Sequence, residues 1–186
     1  MHERSRSRGR QTEGHQPAPS AVVLDSQTLK VGDQGGPTGY DAGKTTVGRK
    51  RHLLVAVLGL LLGVYGGSAD EQDRDGARTL LQRCLFGCGQ LAKIWADGGY
   101  AEAVVGWING LRRRRPVALE IVRRDPNNPG FAILPRRWVV ERTFAWFFKQ
   151  RRLVRDYEVK TEHSEAMLYI AMTALMLRHL ARQRAK

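Results

Sequence analysis

Cysteine is scarce: Cys84 and Cys88 are the only two in 186 residues, too few for the disulfide framework of a small secreted scaffold. They stand four apart in a stretch of helical spacing with no second ligand pair elsewhere, so buried thiols are expected rather than a zinc site. Acidic residues are also in short supply, 18 Asp+Glu against 31 Lys+Arg, for a net charge of +13 and a pI near 10.5. Such an excess makes a polyanion the default partner, either nucleic acid or an acidic membrane surface. No apolar run occurs within Met1–Ser20, so a cleaved secretory leader is not expected. What the chain does have is a 42% hydrophobic fraction, enough for a core, and a length that suits one domain plus a tail.

The positive charge is concentrated late in the chain. From Leu111 to Lys186 there are 18 Lys+Arg and 7 Asp+Glu. They fall in four clusters: Arg112–Arg115, Arg123–Arg124, Arg136–Arg137, and Lys149 through Arg155. One cluster alone reads as a solvated face. Four, interleaved with Trp138, Phe144, Trp146 and Tyr157, point to a phosphate backbone.

Residues 1–20, rich in Arg, Ser, Gly and Pro, read as a disordered basic arm. Residues 21–186 read as the folded domain. Ala21 opens a strand, and the glycine-rich stretch Val31–Gly48 reads as a long loop. The apolar run Leu53–Ala69 has about the minimum length of a membrane span and follows Arg49, Lys50 and Arg51. Gly59, Gly63, Gly66 and Gly67 interrupt it, however, and two buried strands joined by a tight turn fit better. Further on, a helix is predicted over Gly76–Gly87, a strand over 91–97, a helix from Ala101 to Leu111 and a strand over 117–122. A long helix follows from Arg137 to Leu153, then a last helix over Glu162–Arg184, apolar enough between Ala166 and Leu177 to be buried. This order of elements is mixed α/β.

Three carboxylates stand where a core argument would not place them. Asp25 follows the apolar run Ala21–Leu24, and Asp97 follows Ile94-Trp95-Ala96 and precedes Gly98-Gly99. Active sites of open α/β sheets lie in the crevice at the strands' carboxyl ends, although both residues also suit ordinary turn or N-cap chemistry. Glu141 falls close to the helical stripe of Val140, Phe144 and Phe147, where an unpaired carboxylate is costly. Either Arg137, one turn earlier, neutralises it, or a metal does. Hard oxygen ligands with few histidines suit Mg²⁺ or Mn²⁺, and two such ions serve in-line phosphoryl transfer.

The segments VLDSQTLK, GGPTGYDAGKTTVGRKRHLLV, IWADGGY and above all LPRRWVVERTFAWFFKQRRLVRDYE resemble bacterial insertion-sequence transposases of the DDE type, over a span from about Pro19 to the C-terminus. The resemblance implies a ribonuclease H-like α/β fold, a mixed sheet flanked by helices. It implies a metal-binding catalytic triad of Asp25, Asp97 and Glu141, and DNA contacts from Arg137, Arg142, Lys149, Arg151 and Arg152. It further implies metal-dependent cleavage at the element's ends and strand transfer to target DNA, in the bacterial cytoplasm at the nucleoid. A homodimer, or the first-frame product of the same element, would be the protein partner, and no membrane is involved.

Three departures qualify the likeness. The N-terminal helical region usual before the first strand is absent, as in a second reading frame or a truncated copy. Ala56 stands where related sequences carry an aspartate, and Phe148 where a basic residue is expected, with Lys149 as a substitute. A catalytically decayed, DNA-binding fragment with a regulatory role is therefore the alternative expectation.

Overall fold

The run Val22-Val23-Leu24 is buried on both sides, as expected of a strand in the middle of a sheet. In the computed structural model, which describes residues 1–111, 116–122 and 136–184, these residues belong to β1 (Ala21–Leu29), flanked by β3 (Thr46–Ala56) and β5 (Lys93–Ala96). The short β2 (Gly39–Asp41) and β4 (Leu61–Ser68) both pair with β3, and β6 (Ala118–Ile121) continues the sheet beyond β5. β1, β3 and β4 run antiparallel to their neighbours in turn, whereas β1, β5 and β6 are parallel. This is the curled mixed sheet of a ribonuclease H-like fold.

Helices cover both faces. On one, α2 (Asp73–Leu85) and α3 (Ala101–Asn109) pack Leu80, Leu81, Val104 and Ile108 against Val22, Leu24 and Ile94. On the other, α4 (Trp138–Phe148) and α5 (Thr161–Arg184) pack Val140, Phe144, Leu168 and Met172 against Val23, Leu53 and Trp95. Odd-numbered residues of β1 therefore face α4, and Asp25 is one of them.

The apolar run Leu53–Ala69 is the expected hairpin. Its turn closes with Gly59 N–H donating to the Ala56 carbonyl at 2.7 Å, and Gly59 takes φ +81°, a conformation open to glycine without strain. No helix among the described residues is long and apolar enough to cross a membrane. Cys84 and Cys88 form no disulfide and are each half-buried, short of the full burial expected, and burial pushes the Cys84 thiol up to about 12.

Four expectations are corrected. Within the stretch read as a disordered arm, α1 (His2–Thr12) is helical and docked on α5. Its Ser5, Arg6, Gly9 and Arg10 are buried, and His2 Nε2 lies 2.9 Å from the Leu61 carbonyl oxygen. Polar composition hid a helix whose support is tertiary. The glycine-rich loop contains β2, and β3 begins at Thr46, because the strand's polar half is covered by neighbours on both sides. The helix expected to reach Leu153 stops at Phe148 and is followed by a 3₁₀ turn, Arg151–Leu153. Finally, α5 is not buried all round: Leu168 and Met172 are fully covered, but Ile170 and Leu177 are exposed.

Candidate active site

The register of the sheet creates the site. β5 accompanies β1 only from Ala21 to Val23, so beyond Val23 the two parallel strands part. Asp25 lies two residues past that point, and Asp97 directly follows the end of β5. Asp97 thus stands at the carboxyl end of β5 and Asp25 midway along β1, beside the gap where the two parallel strands part, the kind of crevice in which α/β folds hold ligands.

Asp25 is 9% exposed. Its Oδ1 accepts a 2.8 Å bond from the Ser26 N–H, and its Oδ2 lies 3.3 Å from Arg137 Nη2. The same guanidinium nitrogen is 3.7 Å from Asp97 Oδ2. Burial raises the Asp25 pKa, Arg137 opposes that rise, and the nearby Asp97 charge reinforces it. Asp97 also serves the turn open to it: its Oδ1 accepts from Gly99 N–H at 3.0 Å. One oxygen shapes the turn, and the other faces the cation.

Arg137 stands at the N-cap of α4. The pairing with Glu141 allowed by their spacing is not formed; the guanidinium reaches across to the two aspartates. Glu141, in the first turn of α4, is exposed. Among the described residues, no three His, Cys, Asp or Glu side chains are gathered closely enough to hold a metal ion. The structure therefore unites Asp25 and Asp97 and leaves Glu141 outside the pair.

Behind Asp25 lies a polar layer that sequence reasoning missed. Ser26 Oγ donates to Asp73 Oδ1 at 2.8 Å, and Asp73 is paired with Lys50 Nζ at 3.2 Å. Lys50 in turn donates to the Glu71 carbonyl at 2.8 Å. Tyr100 is 1% exposed, and burial, then the charges of Asp25 and Asp73, hold its hydroxyl well above the usual tyrosine range. The available signal was adjacency: Ser26 follows Asp25, and Tyr100 closes the Asp-Gly-Gly-Tyr turn.

The expected DNA contacts divide. Lys149 and Arg151 are exposed at the end of α4 and in the turn beyond it. Arg152 is exposed but bonded to Glu158, at 2.7 Å from Nη2 to Oε1. Arg142 is part of the scaffold. It lies over the rings of Trp138 and Trp146, 4.4 and 4.9 Å from their centroids. Its Nη2 donates to the Leu58 carbonyl at 3.0 Å, pinning the β3–β4 turn to α4. The clusters Arg112–Arg115 and Arg123–Arg124 lie outside the described residues.

A curled mixed sheet between helices, with one aspartate within its central strand and a second at the end of the neighbouring parallel strand, defines a ribonuclease H-like carboxylate site. Residues 16–177 match the family model of the transposase DDE domain, and the chain belongs to that family. α1 precedes the matched span. No curated protein and no solved structure matches the chain.

Proposed function

We propose that the chain is the catalytic domain of a DNA transposase that cleaves the ends of an insertion sequence and joins the freed 3′-OH to target DNA. The observation that carries this reading is the convergence of Asp25 and Asp97 on a single cation, in a family whose substrate is DNA. Carboxylate oxygens are hard donors. Two of them that repel each other, one buried, fit Mg²⁺ or Mn²⁺ in chemistry. Asp25 and Asp97 would bridge or hold two such ions, and Glu141 would complete the shell of the second from α4. When bound, the two ions would activate an attacking oxygen and stabilise the leaving one.

The chain's own residues supply orientation and grip. The Ser26 N–H fixes one oxygen of Asp25 and leaves the other free to face the crevice. The Gly99 N–H does the same for Asp97. Lys149, Arg151 and Arg152 would hold backbone phosphates beside the crevice, an interaction that weakens as salt rises. Acting on two element ends at once, the protein would work as a homodimer at the bacterial nucleoid.

Asp97→Asn tests this reading. Cleavage of element ends is expected to fall by more than the roughly 10–100-fold that even outer partners of a metal ligand cost; unchanged cleavage would remove Asp97 from the mechanism. A second reading, a DNA-binding remnant without catalysis, is favoured by the exposure of Glu141 outside the aspartate pair. It predicts DNA binding that is steeply salt-dependent, and indifferent to Mg²⁺ and to Asp25→Ala.

A further inference from the structure

Arg137 sits where the charge of a metal ion is needed. Its Nη2 is 3.3 Å from Asp25 Oδ2 and 3.7 Å from Asp97 Oδ2, so one guanidinium edge answers two carboxylates that otherwise repel. The fit is incomplete. Arg137 Nε is buried without a hydrogen-bond partner among the described residues, and both contacts are longer than the roughly 2.7–2.9 Å usual for charge-assisted bonds. The side chain also keeps a path to solvent, being 20% exposed.

The backbone just before it is strained. Arg136 takes φ +74°, a left-handed conformation costing a non-glycine residue energy. Its side chain is held by Glu120 at 3.5 Å and by the Trp95 ring at 4.5 Å. Trp95, on β5, lies two residues before Asp97. The strand end that carries one aspartate thus also anchors the residue that aims Arg137 at both.

We propose that Arg137 is the resident counter-ion of the carboxylate pair, and that divalent-cation binding and the Arg137 contact are mutually exclusive. The incoming ion releases the guanidinium into the crevice, where the group it suits next is a DNA phosphate. Cation and DNA therefore promote each other's binding, because each favours the state in which Arg137 has left the aspartates. The inference rests on the proposal that Asp25 and Asp97 take a divalent ion. It differs from a plain phosphate-contact role in predicting that loss of Arg137 improves metal binding.

Calorimetric Mn²⁺ titration of the whole chain tests it, with the parent, R137Q, R137K and D25N compared in the absence of DNA. R137Q is expected to bind Mn²⁺ roughly tenfold or more tightly than the parent, within the roughly 5–150-fold usual for coupled sites. R137K keeps a cation at the position and is expected to bring affinity back toward the parent. D25N is expected to lose binding. If D25N loses binding but R137Q binds no more tightly than the parent, the counter-ion role is overturned and the metal reading stands. If D25N binds as the parent does, or no chain binds Mn²⁺, the metal reading falls and this inference with it. A second measurement does not depend on how R137Q folds. Mn²⁺ affinity of the parent is expected to rise when a short DNA duplex is added, and no change would overturn the inference.

Discussion

Two arginines, both from basic clusters of the sequence, are used in opposite ways. Arg49 on β3 is 1% exposed. It donates to the carbonyls of Gly35, Pro37, Glu158 and Val159 and pairs with Asp156 at 3.4 Å. It bolts the loop before β2 and the segment before α5 to the sheet. Arg137 has two carboxylate contacts, an unpartnered Nε among the described residues and a route to solvent. Residue type and local charge are the same, and only the long-range partners distinguish a saturated bolt from a displaceable counter-ion. Positive charge in this chain is therefore not one thing. Arg49, Lys50 and Arg51 are buried scaffold, Arg142 is a clamp, and Lys149 and Arg151 are exposed.

That contrast can be broken at its rigid side. Arg49→Gln strips the buried Asp156 carboxylate of its cation, leaving it the Glu158 N–H, and takes the guanidinium from four carbonyls, of which that of Glu158 keeps Gln34 as a donor. Urea unfolding is expected to show a loss of about 3–5 kcal/mol, the cost of breaking a buried pair. Arg49→Lys rescues little, since one ammonium cannot reach the positions of a planar fork. A loss under about 1 kcal/mol would erase the distinction from a surface cation.

His52 sharpens the same comparison through pH. It is fully buried on β3, stacked on Tyr65 at 5.8 Å, and burial lowers its pKa to about 4. A histidine held neutral in the fold but free to protonate when unfolded gives full stability above about 6.5. Between there and about 4 the unfolded state takes up the proton first, so stability falls with pH, by on the order of 3 kcal/mol. Denaturant melts across that window, with His52→Phe flattening this part of the slope, provide the check.

A smaller effect tests the packing around that ring. Gly76 lies in α2, where alanine ordinarily gains about 1 kcal/mol. A Cβ there would come 2.2 Å from His52 Nε2, so Gly76→Ala is expected to cost roughly 1–3 kcal/mol as an overpacked core. A rise in thermal midpoint would show that the ring yields.

Much of the fold was legible in the chain because it is written locally. The hairpin over residues 53–68 shows in two apolar runs divided by Gly59. Asp25 and Asp97 announce themselves as acids directly after short apolar runs. What escaped depends on partners distant in sequence. α1 has a composition that favours disorder and is held by contacts with Leu61 and Thr173. The basic run Arg49–Arg51 suited a membrane flank until Asp156 and the carbonyls of Leu153, Glu158 and Val159 came to meet its arginines. Arg137 and Glu141 have the spacing of a helical pair, yet two aspartates far away in sequence claim the guanidinium.

Above all, Asp25 and Asp97 should form a pocket made for a divalent cation. A thermal melt of the whole chain with and without Mn²⁺, beside Asp25→Asn, puts this to the test without DNA or turnover. A ligand that binds only the folded state raises its stability. Mn²⁺ is expected to raise the midpoint of the parent and to leave that of Asp25→Asn unmoved. An equal shift in both chains, or none in the parent, would mean that the pair holds no metal.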